Sequence, residues 1–149
     1  MIGRRVRALL DVNVLIALHD AQHVHHKLAT DWFEAHADAG WASCPITQNG
    51  CLRIMSQPAY PNAQSADVLL RMLARSCAAP YHEFWADDIS LVDTQRFRAD
   101  RIHSHRQMTD LYLLGLAVYH GGRLVSFDAR IALSAVLGAA PRHLIALAA

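Results

Sequence analysis

The sequence has few cysteines, almost no net charge and no long apolar run. Its 149 residues include three cysteines, Cys44, Cys51 and Cys77, whose spacing fits neither a disulfide framework nor a zinc site. An odd number of unpaired cysteines is typical of a reducing compartment, so we expect a cytoplasmic protein. The formal net charge of +1 excludes a chain that is basic throughout, and any surface that binds nucleic acid must be local.

The apolar stretches of the sequence predict neither a membrane span nor a secretory leader. No apolar stretch approaches the ~20 residues that cross a bilayer, so we expect no membrane partner. Arg4, Arg5 and Arg7 precede an apolar stretch as in a secretory signal, but Asp11 and Asn13 interrupt it and no clean cleavage site follows. With 53% hydrophobic and 18% charged residues, the chain is predicted to be one compact globular domain over residues 1–149.

Strand-like and helix-like segments alternate along the chain. This alternation predicts an α/β fold with a mostly parallel central sheet and helices on both faces. Apolar runs predict strands over residues 6–10, 41–45, 82–85, 124–127 and 143–147. Helical spacing predicts helices over 14–18, 27–39, 48–56, 66–77 and 109–120, with short helices within 87–100 and over 131–137. Thr47 and Ser65 are predicted N-caps, and Gly40 and Gly121 are predicted helix ends.

Three aspartates are expected to meet at one edge of this sheet. Asp11 follows the first strand between two apolar runs, Asp110 lies in the first turn of the helix over 109–120, and Asp128 ends the strand over 124–127. That helix descends ~16 Å and the next strand climbs back by about the same length, which returns Asp128 to the level of Asp110. Asp11 joins them if the first strand lies near the centre of the sheet, because ligands bind at the carboxyl ends of parallel strands.

Three neighbouring carboxylates repel one another unless a cation neutralises them. Mg²⁺ or Mn²⁺ suits oxygen ligands, and water activated by such an ion can hydrolyse a phosphodiester. Each acid also has a structural alternative. Asp110 could stabilise a helix N-terminus with Thr109 as its cap, and Asp128 could open a turn before Ala129. The coincidence of all three acids at one edge favours a metal site.

Four segments resemble the PIN-domain family, and specifically the VapC-type toxin ribonucleases of bacterial toxin–antitoxin pairs. They are LDVNVLI (10–16), TQNGCLRI (47–54), TDLYLL (109–114) and RLVSFD (123–128), which occur in the family's order. The resemblance implies a PIN fold, a Mg²⁺- or Mn²⁺-dependent endoribonuclease acting on RNA, a homodimer, and inhibition by an antitoxin protein encoded alongside. By matching position, it implies that Asp11, Asp110 and Asp128 are the catalytic, metal-binding acids.

Gln48 departs from the family pattern, because many members carry Glu at the matching position. An amide oxygen can still ligate a metal or hold its water, but it carries no charge and cannot act as a base. We expect Gln48 to assist the three acids, with weaker ion binding than a fourth carboxylate would give; a plain first-turn helix residue is the alternative. This departure leaves a second function open, in which a catalytically weak or inactive module binds RNA or an antitoxin.

Several polar side chains are predicted to surround the acids. Asn13 and Ser126 could hydrogen-bond to the carboxylates or to metal-bound water, although Asn13 could instead cap the first helix. Arg53, Arg106 and Arg130 could hold RNA phosphates beside the acids, although each of them taken singly fits a solvated surface arginine better.

A histidine cluster and a possible helix-binding groove each have a structural explanation as well as a functional one. His19, His23, His25 and His26 lie close in sequence, but no tetrahedral zinc set is complete, so we expect loop histidines. Leu52, Met55 and the helix over 66–77 could form a groove for an antitoxin helix, or could simply pack in the core. A phosphatase or phospho-receiver is disfavoured because the chain's one lysine, Lys27, lies outside the predicted sheet edge.

Overall fold

A five-stranded parallel sheet organises the computed structural model, which describes residues 6–148. Arg4 and Arg5, from the leader-like start of the sequence, lie outside the described residues. The strands are β1 (Ala8–Leu10), β2 (Trp41–Ser43), β3 (His82–Phe84), β4 (Arg123–Ser126) and β5 (Leu144–Ala146). Their order is β3-β2-β1-β4-β5, and all four described pairings are parallel. The predicted parallel α/β fold is confirmed.

Five α-helices connect these strands. They are α1 (Val12–His19), α2 (His26–His36), α3 (Pro45–Met55), α4 (Ala66–Cys77) and α5 (Met108–Tyr119). Ser65 caps α4 as predicted, since its hydroxyl accepts a hydrogen bond from the Val68 N–H at 3.4 Å. Within the described residues, no helix has the length and apolar character that crossing a bilayer requires.

The predicted start of α3 is wrong. The helix begins at Pro45, whose fixed φ suits a first helical position, and Cys44 is its N-cap. Thr47 lies three residues inside the cap, where its hydroxyl accepts a hydrogen bond from the Cys44 N–H at 3.0 Å. A threonine whose hydroxyl bonds back to the cap residue has the same sequence pattern as a cap, and this similarity explains the error.

The short helices predicted within 87–100 and over 131–137 are also wrong. Only single 3₁₀ turns form there, at Ala99–Arg101 and Leu133–Ala135. Local side chains compete for the backbone: the Gln95 N–H donates to Asp93, for example, at 2.9 Å. The two segments also pair with each other through an antiparallel bridge between Phe97 and Val136.

The central position of β1 places the functional edge. Its three residues are buried, and β2 and β4 flank it on either side. Because β2 and β3 are added on one side of β1 and β4 and β5 on the other, the carboxyl ends of β1 and β4 form a topological switch point, where α/β proteins bind ligands. Helix α5 is buried from Leu111 to Ala117 against this part of the sheet, so its first turn is held firmly at the same edge.

Candidate active site

Asp11 is fixed at the junction of β1 and α1. It caps α1 and is only 6% exposed. One carboxylate oxygen accepts a hydrogen bond from the Val12 N–H at 2.7 Å, and the other accepts one from the Ser126 hydroxyl at 2.8 Å. Burial raises the pKa of Asp11 above its usual value, against the effect of these two hydrogen bonds, and the charge of Asp128 raises it further.

Asp110 lies in the first turn of α5 with its side chain half-buried. Burial and the negative charges of Asp11 and Asp128 raise its pKa from 3.8 to about 6. The alternative role with Thr109 as helix cap is wrong, because Gln107 is the N-cap and Thr109 lies inside the helix. Asp110 therefore carries the electrostatic cost of an anionic cluster.

Asp128 follows β4 and is linked to Asp11 through one serine. The Ser126 hydroxyl donates to Asp11 and accepts the Asp128 N–H at 3.1 Å. One Asp128 carboxylate oxygen accepts the Arg130 backbone N–H at 2.8 Å and the Arg130 Nε–H at 3.1 Å. These bonds hold the pKa of Asp128 below its usual range. The turn role expected as an alternative for Asp128 is thus present, and the residue still lies beside the other acids.

A cavity of about 450 Å³ is lined by all three aspartates. Asn13, Ser126 and Arg130 are also among its lining residues. Asn13 does not cap α1, since Asp11 does, so its side chain is left to the cavity. The three acids that the sequence places on separate elements are brought together by the fold.

A second cavity, of about 460 Å³, opens between α1, α3 and α5. Asp11 and Asp110 line it from one side, and Asn49 and Arg53 line it from α3. Arg53 therefore lies beside the acids, where a phosphate contact was expected.

A third cavity, of about 250 Å³, lies on the other side of Asp110 and Asp128. Arg106, Gln107 and Arg130 line it. The side-chain amide oxygen of Gln107 accepts hydrogen bonds from the backbone N–H groups of His103 and Ser104 at 2.8 and 3.0 Å. The part of this side chain that remains available is therefore its N–H donors. We call Arg106, Gln107 and Arg130 the basic wall. The wall borders Asp110 and Asp128, and its donors suit phosphate oxygens. Gln107 was not predicted from the sequence.

The structure does not bring Gln48 to the acids. Its amide nitrogen donates to the Ser43 hydroxyl at 2.9 Å and to the Cys77 sulfur at 3.8 Å, on the β2 and α4 side of α3. Asn49, the next residue, lines the cavity with Asp11 and Asp110 instead. Adjacent helix residues point ~100° apart, so only one of the two can face the acids. The position expected for Gln48 is therefore taken by Asn49.

In the described conformation, no group of three or more His, Cys, Asp or Glu side chains within residues 6–148 is arranged as a complete metal-binding set. The carboxylates are held by internal donors instead, Asp11 by Ser126 and Asp128 by Arg130. The chemistry of the three carboxylates suits a hard divalent cation, and their repulsion at Asp110 is what such a cation would relieve.

The predicted groove for an antitoxin helix lies partly in the core. Met55 is 1% exposed and Leu69 is fully buried, whereas Leu52 is half-buried. On α4, Val68 and Leu70 are 48% and 54% exposed. These two residues lie ~200° apart around the helix, on either side of the buried Leu69, so they do not form one apolar face, and Met55 is buried.

Comparison with known proteins places the chain in a family. The PIN domain family matches residues 8–136. Ribonuclease VapC44 of Mycobacterium tuberculosis is 51% identical over 142 residues, which cover 95% of this chain and 100% of VapC44. Ribonuclease VapC39 of the same organism is 42% identical over 132 residues, covering 88% of this chain and 95% of VapC39.

The fold is also shared with a solved structure of low sequence similarity. The crystal structure of Mycobacterium tuberculosis VapC20, described as a Sarcin-Ricin loop cleaving toxin, superimposes with a TM-score of 0.60 at 10% identity. The alignment covers 90% of this chain and 99% of VapC20. The fold, the matched span and the two relatives agree. This chain belongs to the PIN domain family and, within it, to the VapC ribonucleases.

Proposed function

We propose that this protein is the toxin of a toxin–antitoxin pair and a Mg²⁺- or Mn²⁺-dependent endoribonuclease that hydrolyses RNA phosphodiester bonds. One observation carries the proposal: aspartates from three different elements line one cavity, where burial and the negative charges of Asp11 and Asp128 raise the pKa of Asp110 to about 6. The VapC44 and VapC39 relatives, both named ribonucleases, support the same chemistry.

Asp11, Asp110 and Asp128 are the residues that would hold the ion. A bound divalent ion would supply an activated water and stabilise negative charge on a phosphoryl oxygen. Ser126 keeps the Asp11 carboxylate in one orientation by donating to it at 2.8 Å. Asn49 can add a neutral amide oxygen, whereas we leave Gln48 out of the set because its amide is used on the other side of α3.

The arginines are proposed to position the RNA. The basic wall, with Arg106 and Arg130, borders the acids on one side, and Arg53 borders them on the other. Phosphates held on the two sides would place the bond between them over the aspartates. Such contacts offset the repulsion between an acidic site and a polyanion.

The decisive experiment replaces single acids without changing their shape. We expect Asp11→Asn and Asp110→Asn each to abolish metal-dependent RNA cleavage and to relieve growth arrest on expression. Asp31→Asn is the matched control, because Asp31 is an exposed acid paired with Lys27 on α2. Full cleavage retained by both cavity variants would contradict the proposal.

The partners follow from the family. We propose that a cognate antitoxin protein inhibits the enzyme, that it forms a homodimer, and that it acts in the cytoplasm. Exposed apolar side chains of α4, such as Leu70, would contribute to a contact with an amphipathic antitoxin helix. Co-expression with the open reading frame immediately upstream, followed by co-purification and light scattering, tests the antitoxin and the dimer together.

One observation favours the second candidate function, a catalytically weak or inactive module that binds RNA or an antitoxin. The polar residue that α3 presents to the acids is Asn49, which carries no charge, and internal donors already occupy Asp11 and Asp128. Calorimetric titration with Mn²⁺ separates the two functions. Binding at or below millimolar concentration supports the enzyme, and its absence at millimolar Mn²⁺ supports the binding module.

A further inference from the structure

A row of three aromatic rings leads away from the acidic cavity. Phe127 lines the cavity that contains the three aspartates. The His25 ring lies against Phe127, with centroids 4.9 Å apart and planes tilted by 39°. The His23 ring lies 5.8 Å beyond His25. All three side chains are half-buried, and the proposed hydrolysis uses none of them. We call Phe127, His25 and His23 the aromatic rim.

The turn that carries the two histidines is rigidly constructed. The His25 N–H donates to His23 Nδ1 at 3.0 Å, so this ring nitrogen is an acceptor and is not protonated. The His23 N–H donates in turn to the Asp20 carbonyl at 3.0 Å. The Asp20 carboxylate is almost completely buried and accepts hydrogen bonds from the Tyr60 hydroxyl and the Asn62 amide.

The position of His26 anchors the other end of this turn. Its Nδ1 lies 2.7 Å from the Ala17 carbonyl, inside the junction of α1 and α2. The prediction of loop histidines is wrong for His19 and His26, which lie in α1 and α2, whereas His23 and His25 lie in the turn between these helices and hold it in one shape. A surface fixed in this way loses little conformational entropy when a ligand binds.

The chemistry of the aromatic rim suits a nucleobase. Val24 stands between the two histidines and is 85% exposed, so the turn presents apolar as well as aromatic surface beside an anionic cavity. Flat aromatic and imidazole faces bind single-stranded RNA by stacking on unpaired bases. Phosphate oxygens find better partners on the basic wall, which borders the same aspartates.

We propose that the aromatic rim is a stacking site for an unpaired RNA base adjacent to the cleaved phosphodiester. The inference rests on the proposed ribonuclease function and adds a residue-level account of how the substrate is held. Bases would lie on the rim and phosphates on the basic wall. The substrate segment is therefore single-stranded, because a base inside a duplex has both faces covered by its neighbours.

Binding is measured first, without metal and without cleavage. The probe is a single-stranded RNA heptanucleotide that carries one 2-aminopurine, titrated into Asp110→Asn protein in EDTA at low salt. We expect the 2-aminopurine fluorescence to be quenched on binding. Adding His25→Ala together with Phe127→Leu should weaken binding about tenfold, the loss expected for one stacked base, and should remove the quenching.

Two variants separate stacking from folding. His25→Tyr keeps an aromatic face and should restore both affinity and quenching. His36→Ala is the matched control, because His36 is stacked on Trp32 at 4.8 Å on α2, outside the cavities of the site; it should leave RNA binding unchanged. Circular dichroism of each variant verifies that the fold persists.

The second readout is cleavage by otherwise wild-type protein in Mn²⁺. Rim variants should raise KM about tenfold and change kcat less. If the rim variants still cleave RNA with unchanged affinity, quenching and KM, the stacking proposal is wrong and the ribonuclease proposal stands. A change in antitoxin binding alone would not rescue the stacking proposal. If the wild-type protein neither binds nor cleaves RNA, the ribonuclease proposal and the rim both fail.

Discussion

Replacing Asp110 by Asn should make the metal-free protein more stable, although it should destroy activity. The substitution keeps the size of the side chain and removes one of three neighbouring negative charges. In the folded protein, burial and the charges of Asp11 and Asp128 raise the pKa of Asp110 from 3.8 to about 6. The folded state therefore resists the ionisation that the unfolded chain undergoes freely.

The size and pH range of the effect follow from the two pKa values. A carboxyl whose pKa is raised to about 6 by folding costs ~3 kcal/mol at neutral pH if no solvent screens it. Asp110 is half-exposed, so screening reduces the expected gain of the Asn variant to about 1 kcal/mol. The gain is absent below pH ~4, where both states are protonated, and complete above pH ~6.

Thermal unfolding by circular dichroism in EDTA between pH 4 and pH 8 measures this gain. At pH 8 the Asp110→Asn variant should unfold about 2–4 °C above the wild type, and at pH 4 the two should coincide. Millimolar Mn²⁺ should then stabilise the wild type and leave the variant nearly unchanged, since a ligand that binds only the folded state raises its stability.

Asp128→Asn is the internal control from the same cavity. The Arg130 hydrogen bonds hold the pKa of Asp128 below its usual range, so this variant should lose stability at pH 8. If Asp110→Asn is less stable than the wild type at pH 8, or if its gain is the same at pH 4, the electrostatic account of the acidic cavity is refuted.

Two further predictions concern the groups that hold the acids. Ser126→Ala should lower the free energy of unfolding by about 1–3 kcal/mol in urea titrations, because it leaves the buried Asp11 carboxylate without one donor; an unchanged urea midpoint would show that water replaces the hydroxyl. Arg130→Ala keeps the backbone N–H that bonds to Asp128 and removes the Nε–H, so it should raise the pKa of Asp128 only part of the way toward its ordinary value, as followed by NMR titration of the carboxyl carbon. An unmoved pKa would show that the Arg130 side chain does not contribute.

The meeting of the acids was predictable because the segments that carry them are strongly patterned. Helix α5 and strand β4 form one helix-and-return unit whose lengths can be compared, and α5 is buried from Leu111 to Ala117 and β4 from Leu124 to Ser126. In a parallel sheet that unit has one geometry, so Asp110 and Asp128 had to lie at one edge. For Asp11 to join them, β1 had to be assumed to lie near the centre of the sheet. The strand order confirms this assumption.

The rotation of α3 was not predictable from family resemblance. The resemblance pointed to Gln48, but the face that a helix presents is set by its buried side. The spacing of Thr47, Cys51 and Met55, all buried at intervals of four, marks that side. Applied to the sequence, the same interval would have turned Asn49 toward the acids, which is where the cavity has it.

The segment over 87–100 failed for a different reason. The sequence predicts a short helix there, but polar side chains of the segment satisfy nearby backbone N–H groups that a helix would have used. What orders the segment is contact with residues far away in sequence, such as the packing of Phe97 beneath α5 and its bridge to Val136. No local pattern reports such contacts.

Electrostatic repulsion between the acidic cavity and a polyanionic substrate explains the arrangement of charged residues in the proposed site. Three carboxylates without a cation would repel RNA from the atoms that are meant to cleave it. The aspartates lie at the centre of the proposed site, the basic wall with Arg106 and Arg130 lies on one side, and the aromatic rim begins at Phe127. Arg130 serves both the aspartates and the basic wall, since it neutralises Asp128 at 3.1 Å while 91% of its side chain remains exposed to an incoming phosphate. An arginine that moves from Asp128 to the substrate would free a carboxylate oxygen for the ion as the RNA arrives, so that binding of the substrate and completion of the metal site would favour each other.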